Sequence, residues 1–341
     1  MIAQAQASLV FATLSALLTG GVAVARDITG AGASFVFPVL SQWSADYADL
    51  GKGRINYRSI GSGGGIAQVK AGTVDFGSTD APLDSATLAR HGLVQFPSVI
   101  GGVVPVVNIE GIEANQLRLT GPLLAEIYLG RVSRWNDPAI TAINPGLSLP
   151  ERAIRVVYRS DGSGTTFNFV HYLGHVSPVW AETVGPAATS VRWPIGVGGR
   201  GNEGVAAYVK QLDGAIGYVE LSYALSNRLT HTLLRNAAGH WVRPDLASFR
   251  AAAASANWAA APDFDLLITN APGPTAWPIA ATNFILLPIA PRDPAATAAT
   301  LRFFEWVYAH GDASAERLGF VPLPDPLVAR IQSRWATQFP Q

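Results

Sequence analysis

One local pattern recurs along this chain and limits what it can fold into: a short apolar strand, a turn that combines glycine with a small hydroxyl residue, and a helix. The three clearest turns are GAGAS at residues 30–34, GSGG at residues 61–64 and GSGT at residues 162–165. The apolar residues after the first turn are spaced three or four apart and share one helical face: Val36, Leu40, Trp43, Tyr47 and Leu50. Strands that alternate with helices are typical of α/β layers built around parallel strands. The sequence therefore predicts an α/β fold.

Later helices are predicted from the same kind of spacing. They lie at residues 204–212, 294–309 and 325–336, and Asn202 and Asp293 precede the first two as candidate caps. Side-chain oxygens of these residue types accept hydrogen bonds from the free amides of a first helical turn.

Length and apolar content bound the number of domains. The chain has 341 residues, of which 49% are hydrophobic, and a chain of this size usually forms two domains. The stretches at residues 103–108 and 276–284 are predicted to cross between two lobes. Lobe I would then be discontinuous, at residues 26–103 plus 275–341, and lobe II would occupy residues 104–274.

Charge and cysteine content exclude several classes of protein. Lys plus Arg and Asp plus Glu both number 24, so net charge gives no support to a nucleic-acid or anionic-membrane partner. The chain has no Cys, which excludes disulfides, thiolate metal sites and a cysteine nucleophile. Any anion must therefore be held by local groups.

The amino-terminal 25 residues resemble an export signal. An apolar stretch ends in Ala23, Val24 and Ala25, which has the A-x-A form of a signal-peptidase site, although the first charge is only at Arg26. We expect residues 1–25 to be a cleaved signal peptide and the mature protein to be periplasmic; a buried helix or a membrane anchor is the alternative.

The three glycine turns share a chemistry suited to anions. Glycine lets the backbone approach a ligand closely, and the start of a helix leaves amides unpaired with a partial positive charge. Arg159 precedes the third turn and offers a planar cation, which Asp161 is placed to orient. The alternative is that each turn only caps its helix. If the turns converge, they predict a site for a tetrahedral oxyanion.

Eight segments make the chain resemble the periplasmic phosphate-binding proteins of bacterial ABC transporters. They are TGAGASF at 29–35, IGSGGG at 60–65, TVDFGSTDAPL at 73–83, FPSVIGGVVPVVN at 96–108, IYLGRVSRWNDPAI at 127–140, DGSGTTF at 161–167, WPIGVGGRGNEGVAA at 193–207 and GAIGYVE at 214–220. The resemblance implies a two-lobed periplasmic binding protein fold of type 2, with two mixed sheets flanked by helices and a ligand cleft between the lobes. It also implies high-affinity capture of inorganic phosphate, closure of the lobes and delivery to a membrane permease.

The same resemblance implies which residues hold phosphate. They are Ser34, the Phe35 amide, Ser62, Asp80, Arg159, Ser163, the Gly164 amide and Thr165, with Asp161 bracing the arginine. The family more often has Thr where Ser34 stands and Ser where Gly63 stands. The first change keeps the hydroxyl, and the second lies beside the ligand.

Asp80 explains how such a site can select its anion. Phosphate near neutral pH still carries a proton, so an ionised Asp80 can accept a hydrogen bond from it. Sulfate has no proton and would place two acceptors face to face. Asp80 is therefore predicted to favour phosphate over sulfate, while arsenate, which is also protonated, stays an alternative ligand.

Other patterns in the sequence point elsewhere. An acyl- or phosphoryl-transfer enzyme with Ser163 or Thr165 as nucleophile is the alternative class, but no G-x-S-x-G motif is present. GVGGRG at residues 196–201 fits a dinucleotide motif without a clear strand before it, and His171 and His175 lack the Glu of a zinc motif. We expect a monomeric binding protein, not an enzyme, with no metal, no cofactor and no nucleic-acid partner.

Overall fold

The structure, a computed structural model, describes residues 26–340, and the predicted signal peptide at residues 1–25 lies outside the described residues. Twelve strands are found there. They are β1 (Ile28–Gly32), β2 (Ile55–Ser59), β3 (Phe76–Thr79), β4 (Leu93–Val107), β5 (Arg118–Leu119), β6 (Arg155–Arg159), β7 (Val197–Gly199), β8 (Ala215–Glu220), β9 (Thr230–His231), β10 (Leu233–Arg235), β11 (Trp241–Val242) and β12 (Ala280–Pro288).

Thirteen α-helices flank these strands in the part of the chain that the structure describes. They are α1 (Phe37–Asp49), α2 (Ser62–Ala71), α3 (Ser85–His91), α4 (Gly121–Tyr128), α5 (Pro138–Thr141), α6 (Gly164–Val176), α7 (Pro178–Val184), α8 (Gly201–Gln211), α9 (Leu221–Ser226), α10 (Leu246–Ala254), α11 (Pro294–His310), α12 (Asp312–Arg317) and α13 (Asp325–Gln338). None of the helices between residues 26 and 340 is long and apolar enough to cross a membrane.

Most strands form one mixed sheet in the order β2-β1-β3-β12-β4-β8-β6-β7, with β9 also paired to β4. β1 runs parallel to both β2 and β3, and β6 runs parallel to both β7 and β8. β12 is antiparallel to β3 and β4. Parallel strands connected through helices are the arrangement that the repeated strand, turn and helix predicts.

The strand β4 joins the two ends of this sheet. All fifteen of its residues are buried, including the polar residues Gln95 and Ser98. Its first part pairs with β12, and Val103–Val107 pair with β8 instead. The expected α/β binding-protein fold is confirmed, with one difference: the two mixed sheets share β4 and therefore form one continuous path.

The predicted helices agree with the structure except at one boundary. The Asp293 carboxylate caps α11 by accepting from the amides of Ala295 and Ala296 at 3.1 and 3.2 Å. Helix α8 begins at Gly201, so Asn202 lies inside its first turn rather than before it. The expectation that Asn202 precedes this helix was wrong. Its side chain donates to Ser34 Oγ, far away in the sequence, and does not cap the first turn of α8.

Candidate functional site

The three glycine turns converge although they are far apart in sequence. The Gly63 amide donates to the Gly162 carbonyl at 2.9 Å, which joins the second turn to the third. The Gly164 amide donates to Ser62 Oγ at 3.0 Å. The turn after β1 reaches the same place through Ser34, described below. One cluster, which we call the cleft cluster, therefore contains the turns at residues 30–35, 61–64 and 162–165.

Glycine is required where these turns meet. Gly61 has φ +83°, and a Cβ on it would lie 2.3 Å from Asp161 Oδ2. A Cβ on Gly164 would lie 2.5 Å from Ser62 Oγ and 2.7 Å from the Asp80 Cβ. A side chain at either position would push the turns apart, so these glycines allow the backbones to approach each other.

The first turn brings Ser34 to the cluster directly before α1. Ser34 Oγ accepts from the backbone amide of Asn202 at 3.1 Å and from its side-chain Nδ2 at 2.9 Å. The Tyr223 hydroxyl donates to the Ser34 carbonyl at 2.8 Å. The next residue, Phe35, packs its ring against Phe320. Both sides of Ser34 are thus fixed by residues more than 160 positions away.

The third turn carries the cation. Arg159 ends β6, and its guanidinium donates to both carboxylate oxygens of Asp161, at 2.7 and 2.5 Å. The third nitrogen, Nη1, donates to Thr165 Oγ1 at 3.3 Å. Ser163 Oγ accepts from the Thr166 amide at 2.9 Å, so Ser163 also caps α6. The capping alternative thus holds for Ser163, in addition to its place in the cluster.

Asp161 is held in its ionised form. Burial opposes ionisation, but the hydrogen bonds and charge of Arg159 and a hydrogen bond from the Gly201 amide keep the pKa of Asp161 below its usual range. The Gly201 amide donates to Asp161 Oδ1 at 2.9 Å. The carboxylate therefore orients the guanidinium and compensates its charge.

Asp80 follows β3 and is placed differently. Its amide donates to Ser62 Oγ at 3.2 Å, and its Oδ1 accepts from Asn283 Nδ2 at 2.7 Å. The Asp80 carbonyl accepts from Asn168 Nδ2 at 2.7 Å. Burial raises the pKa of Asp80 from 3.8 to about 7, although the Asn283 amide, the Arg159 charge and Ser62 lower it. Asp80 thus changes its protonation near neutral pH.

A second buried acid lies at the end of β8. Glu220 Oε2 accepts from the Ser222 amide at 2.9 Å, and the Glu220 amide donates to Asn202 Oδ1 at 3.0 Å. Burial raises the pKa of Glu220 from 4.5 to about 8, and the nearby Asp80 contributes. Two carboxyl groups close to the cluster therefore favour their protonated forms.

All six predicted side-chain donors and acceptors are buried, and Arg159 is the most exposed of them at 3%. In an environment with so little water, hydrogen bonds to an ionised group are stronger than at the surface. The cluster combines four hydroxyl groups in its turns, and a guanidinium and a carboxyl group lie beside them. It can bind an anion with several oxygen acceptors and at least one proton.

Sequence reasoning missed Asn202, Asn283 and Asn168. Asn202 lies in GVGGRGN, where the structure has a strand, β7, directly before α8. The prediction that no clear strand precedes this motif agrees with the structure, because β7 lies within the motif, is only three residues long and pairs with β6. The amides that follow β7 donate to Asp161 and Ser34. The turn at residues 199–202 is therefore a fourth glycine turn, and its amides hold Asp161 and Ser34 in place.

The two histidines lie away from the cleft cluster. His171 Nδ1 is 2.6 Å from Thr269 Oγ1, and His175 Nδ1 is 3.0 Å from the His171 carbonyl. Burial and the neighbouring His175 lower the pKa of His171 from 6.5 to about 4. His171 is half-buried, and its ring contacts Thr269.

Comparison with known proteins adds an independent line of support. Residues 18–309 match a model described as a PBP superfamily domain. A phosphate-binding protein PstS from Xylella fastidiosa (strain Temecula1) is 60% identical over 312 residues, which cover 92% of this chain and 85% of the relative. The PstS of Haemophilus influenzae is 48% identical over 319 residues, covering 94% and 95% of the two chains.

Solved structures agree in fold. A high-affinity periplasmic phosphate-binding protein, PfluDING, bound with phosphate, matches with a TM-score of 0.72 and 23% identity, covering 90% of this chain and 93% of that one. A phosphate-binding protein from Stenotrophomonas maltophilia gives a TM-score of 0.69 and 21% identity, covering 92% and 94%. At these identities the comparison shows a shared fold.

Proposed function

This chain belongs to the PBP superfamily and, within it, to the PstS phosphate-binding proteins, and from that premise we propose that its cleft cluster captures inorganic phosphate for delivery to an ABC-type import permease. The family consists of substrate-binding proteins rather than enzymes. One observation carries the proposal: hydroxyls, a guanidinium and a carboxyl group from four distant parts of the chain are buried together.

The proposed ligand contacts follow from this arrangement. Phosphate is held by Ser34, the Phe35 amide, Ser62, Asp80, Arg159, Ser163, the Gly164 amide and Thr165. Arg159 supplies the positive charge and Asp161 keeps its guanidinium in one orientation, as their double hydrogen bond supports. The hydroxyls and amides complete the set of donors around the phosphate oxygens.

Asp80 selects phosphate by accepting a hydrogen bond from the proton that the ligand carries. Its pKa of about 7 supports a pair in which phosphate and Asp80 share one proton at neutral pH. Sulfate brings no proton, so it can bind beside Asp80 only if the carboxyl group is itself protonated. Arsenate has the same protonation pattern as phosphate and is the competing ligand to be measured.

The cleft cluster lies between the two proposed lobes, residues 26–103 plus 275–341 and residues 104–274. The hydrogen bonds from Gly164 to Ser62 and from Asn202 to Ser34 cross from one lobe to the other. Ligand binding would favour this closed arrangement only by the extra affinity of the closed state. β4 is one of the two segments that connect the proposed lobes, and residues 276–284 are the other, so we place the hinge at these crossings, near Val103 and residue 275.

Localisation and partners complete the proposal. The chain is exported, loses residues 1–25 and works in the periplasm as a monomer, without a nucleic-acid partner. Its apolar amino-terminal stretch and A-x-A site support export. The closed form docks transiently on the membrane permease.

The proposed function is tested by isothermal titration of protein that lacks residues 1–25 and has been stripped of ligand. Phosphate, sulfate and arsenate are titrated in parallel. We expect one phosphate per chain with submicromolar affinity, and sulfate binding at least about 10³-fold weaker, since a site built for a ligand hydroxyl strongly rejects analogues without it. Absence of phosphate binding, or equal affinity for sulfate, would refute the proposal. Solution scattering should show smaller dimensions with phosphate if the lobes close.

A further inference from the structure

Three of the four hydroxyl groups in the cleft cluster, those of Ser34, Ser62 and Thr165, have both lone pairs occupied by protein donors. A hydroxyl has one proton to donate and two lone pairs that accept. Ser34 Oγ accepts from the Asn202 backbone amide at 3.1 Å and from Asn202 Nδ2 at 2.9 Å. Neither nitrogen can accept a proton in return. The Ser34 proton must therefore be donated to another group.

Thr165 is in the same situation. Its Oγ1 accepts from Asn202 Nδ2 at 3.3 Å and from Arg159 Nη1 at 3.3 Å. Both nitrogens are donors only, so the Thr165 proton is also free to point toward a ligand oxygen. Among residues 26–340, Asn202 is the one side chain that donates to both hydroxyls.

The orientation of the Asn202 amide is fixed by its other bond. Oδ1 accepts from the Glu220 backbone amide at 3.0 Å, and a backbone N–H can only donate. A flipped side chain would place an NH₂ group against that N–H. Asn202 is fully buried, so such a mismatch would not be relieved by water. Nδ2 must face Ser34 and Thr165.

We propose that Asn202 is a positioning residue that makes Ser34 and Thr165 donors toward the bound anion, an inference that rests on the proposed function. Because both lone pairs of each hydroxyl are engaged, the two side chains present protons and not lone pairs. The cleft therefore favours a ligand whose oxygens accept hydrogen bonds, while the Asp80 carboxylate accepts a hydrogen bond from the ligand's proton. Asn202 thereby fixes Ser34 and Thr165 as donors.

Ser62 offers an internal comparison. Its Oγ accepts from the backbone amides of Asp80 at 3.2 Å and Gly164 at 3.0 Å. The same orientation is achieved there by main-chain groups that no substitution of a side chain can remove. A single substitution at Asn202 can therefore change the orientation of the Ser34 and Thr165 hydroxyls.

The test is Asn202→Asp in the stripped mature protein, with phosphate affinity measured from pH 5 to pH 8. At pH 8 the carboxylate accepts the hydroxyl protons and repels the anion, and we expect affinity at least about 100-fold below wild type. At pH 5 a buried Asp is largely protonated and can donate again, so the loss should shrink about tenfold. The ratio of variant to wild type at each pH removes effects common to both.

Several side chains with ionisable groups surround position 202 in both proteins. These groups, together with the ligand, set the pH dependence of wild type, and the ratio isolates what position 202 adds. They are Asp80, Arg159, Asp161, Glu203, Glu220 and Tyr223.

Two further variants make the result decisive. Asn202→Ala removes the hydrogen bonds to both hydroxyls and the acceptor of the Glu220 amide without adding a new acceptor toward the hydroxyls, so we expect about a tenfold loss that does not change with pH. Asn144 is a matched control, because its buried amide also donates to two carbonyls, of Arg118 and Ile140, and accepts from the Arg118 amide. Asn144→Asp should reduce thermal stability and leave phosphate affinity unchanged.

The outcomes separate this inference from the proposed function. Suppose that wild type binds phosphate. If the phosphate affinity of Asn202→Asp is within threefold of wild type at pH 8, or is reduced by the same factor at every pH, Asn202 does not orient the hydroxyls. If Asn202→Asp does not fold, an unchanged affinity in Asn202→Ala overturns the inference equally. If wild type itself fails to bind phosphate, the proposed function is wrong and this inference falls with it.

Discussion

Two aspartates at the cleft cluster, Asp80, which is buried, and Asp161, which is partly buried, show how neighbours assign different tasks to one residue type. Asp161 makes a double hydrogen bond with Arg159, and its pKa lies below the usual range. Asp80 bonds to the neutral amide of Asn283, and burial raises its pKa to about 7. Asp161 is therefore a permanent anion that orients the cation, whereas Asp80 exchanges a proton near neutral pH. The cleft needs both: one compensated charge, and one acceptor that responds to the ligand's proton.

The largest effect is expected for Asp80→Asn, which removes the carboxyl group that distinguishes Asp80 from Asp161. Asn283 would hold the new Oδ1 and leave the Nδ2 group as a donor toward the ligand. An N–H donor at this position can bond to an oxygen of sulfate as readily as to one of phosphate. We therefore expect the preference for phosphate over sulfate to fall by about 10³-fold or more. Calorimetric titration with both anions measures the ratio. Equal loss of affinity for both anions would contradict the selective role of Asp80.

The next largest effect is expected for Arg159→Gln. This change leaves Asp161 ionised and buried without its cation, and phosphate loses its positively charged partner. Phosphate affinity should fall by about 10³-fold, since breaking a buried hydrogen-bonded charge pair typically costs 2–5 kcal/mol. Arg250→Gln is the control, because its ion pair with Glu316 is roughly half exposed, at 50% and 43%, and such pairs contribute little. A loss below tenfold for Arg159→Gln would place the cation outside the site.

The raised pKa of Asp80 also predicts how stability depends on pH. Without phosphate, the folded protein holds protons on Asp80 and Glu220 up to about pH 7 and pH 8, whereas their ordinary pKa values are 3.8 and 4.5. The folded state thus binds more protons between these limits, and the free energy of unfolding must fall as pH rises from 4 to 8. Denaturant unfolding should show this fall, and Asp80→Asn should reduce it by about 2–4 kcal/mol, at about 1.4 kcal/mol for each pKa unit. An identical pH slope in the variant would mean that Asp80 titrates normally.

The smallest effect is expected for Asp161→Asn. The amide can still accept one hydrogen bond from Arg159 but no longer balances its charge or fixes both nitrogens. We expect phosphate affinity to fall about tenfold, in line with the loss of one charge-assisted hydrogen bond. Phosphate titration checks this. A loss as large as that of Arg159→Gln would show that Asp161 does more than orient the guanidinium.

The sequence predicted the local elements of the site and missed those that depend on distant partners. The glycine turns and the capped helix α11 follow from patterns a few residues long, and the structure contains them. Asn202 bonds to Ser34 across 168 positions and Asn283 to Asp80 across 203. A neutral amide has no local pattern that reveals such a partner. The same limit explains why the start of α8 was misplaced.

The insertion of β12 between β3 and β4 governs the order in which this protein can be assembled. Ribosomes produce β3 and β4 long before Ala280–Pro288, the strand that pairs with both. Until that late segment arrives, each of the earlier strands keeps an edge of unpaired amides and carbonyls, which is open to pairing with other chains. A nascent chain truncated before residue 280 should therefore need a chaperone, and the sheet can be completed only after most of the polypeptide has been translated.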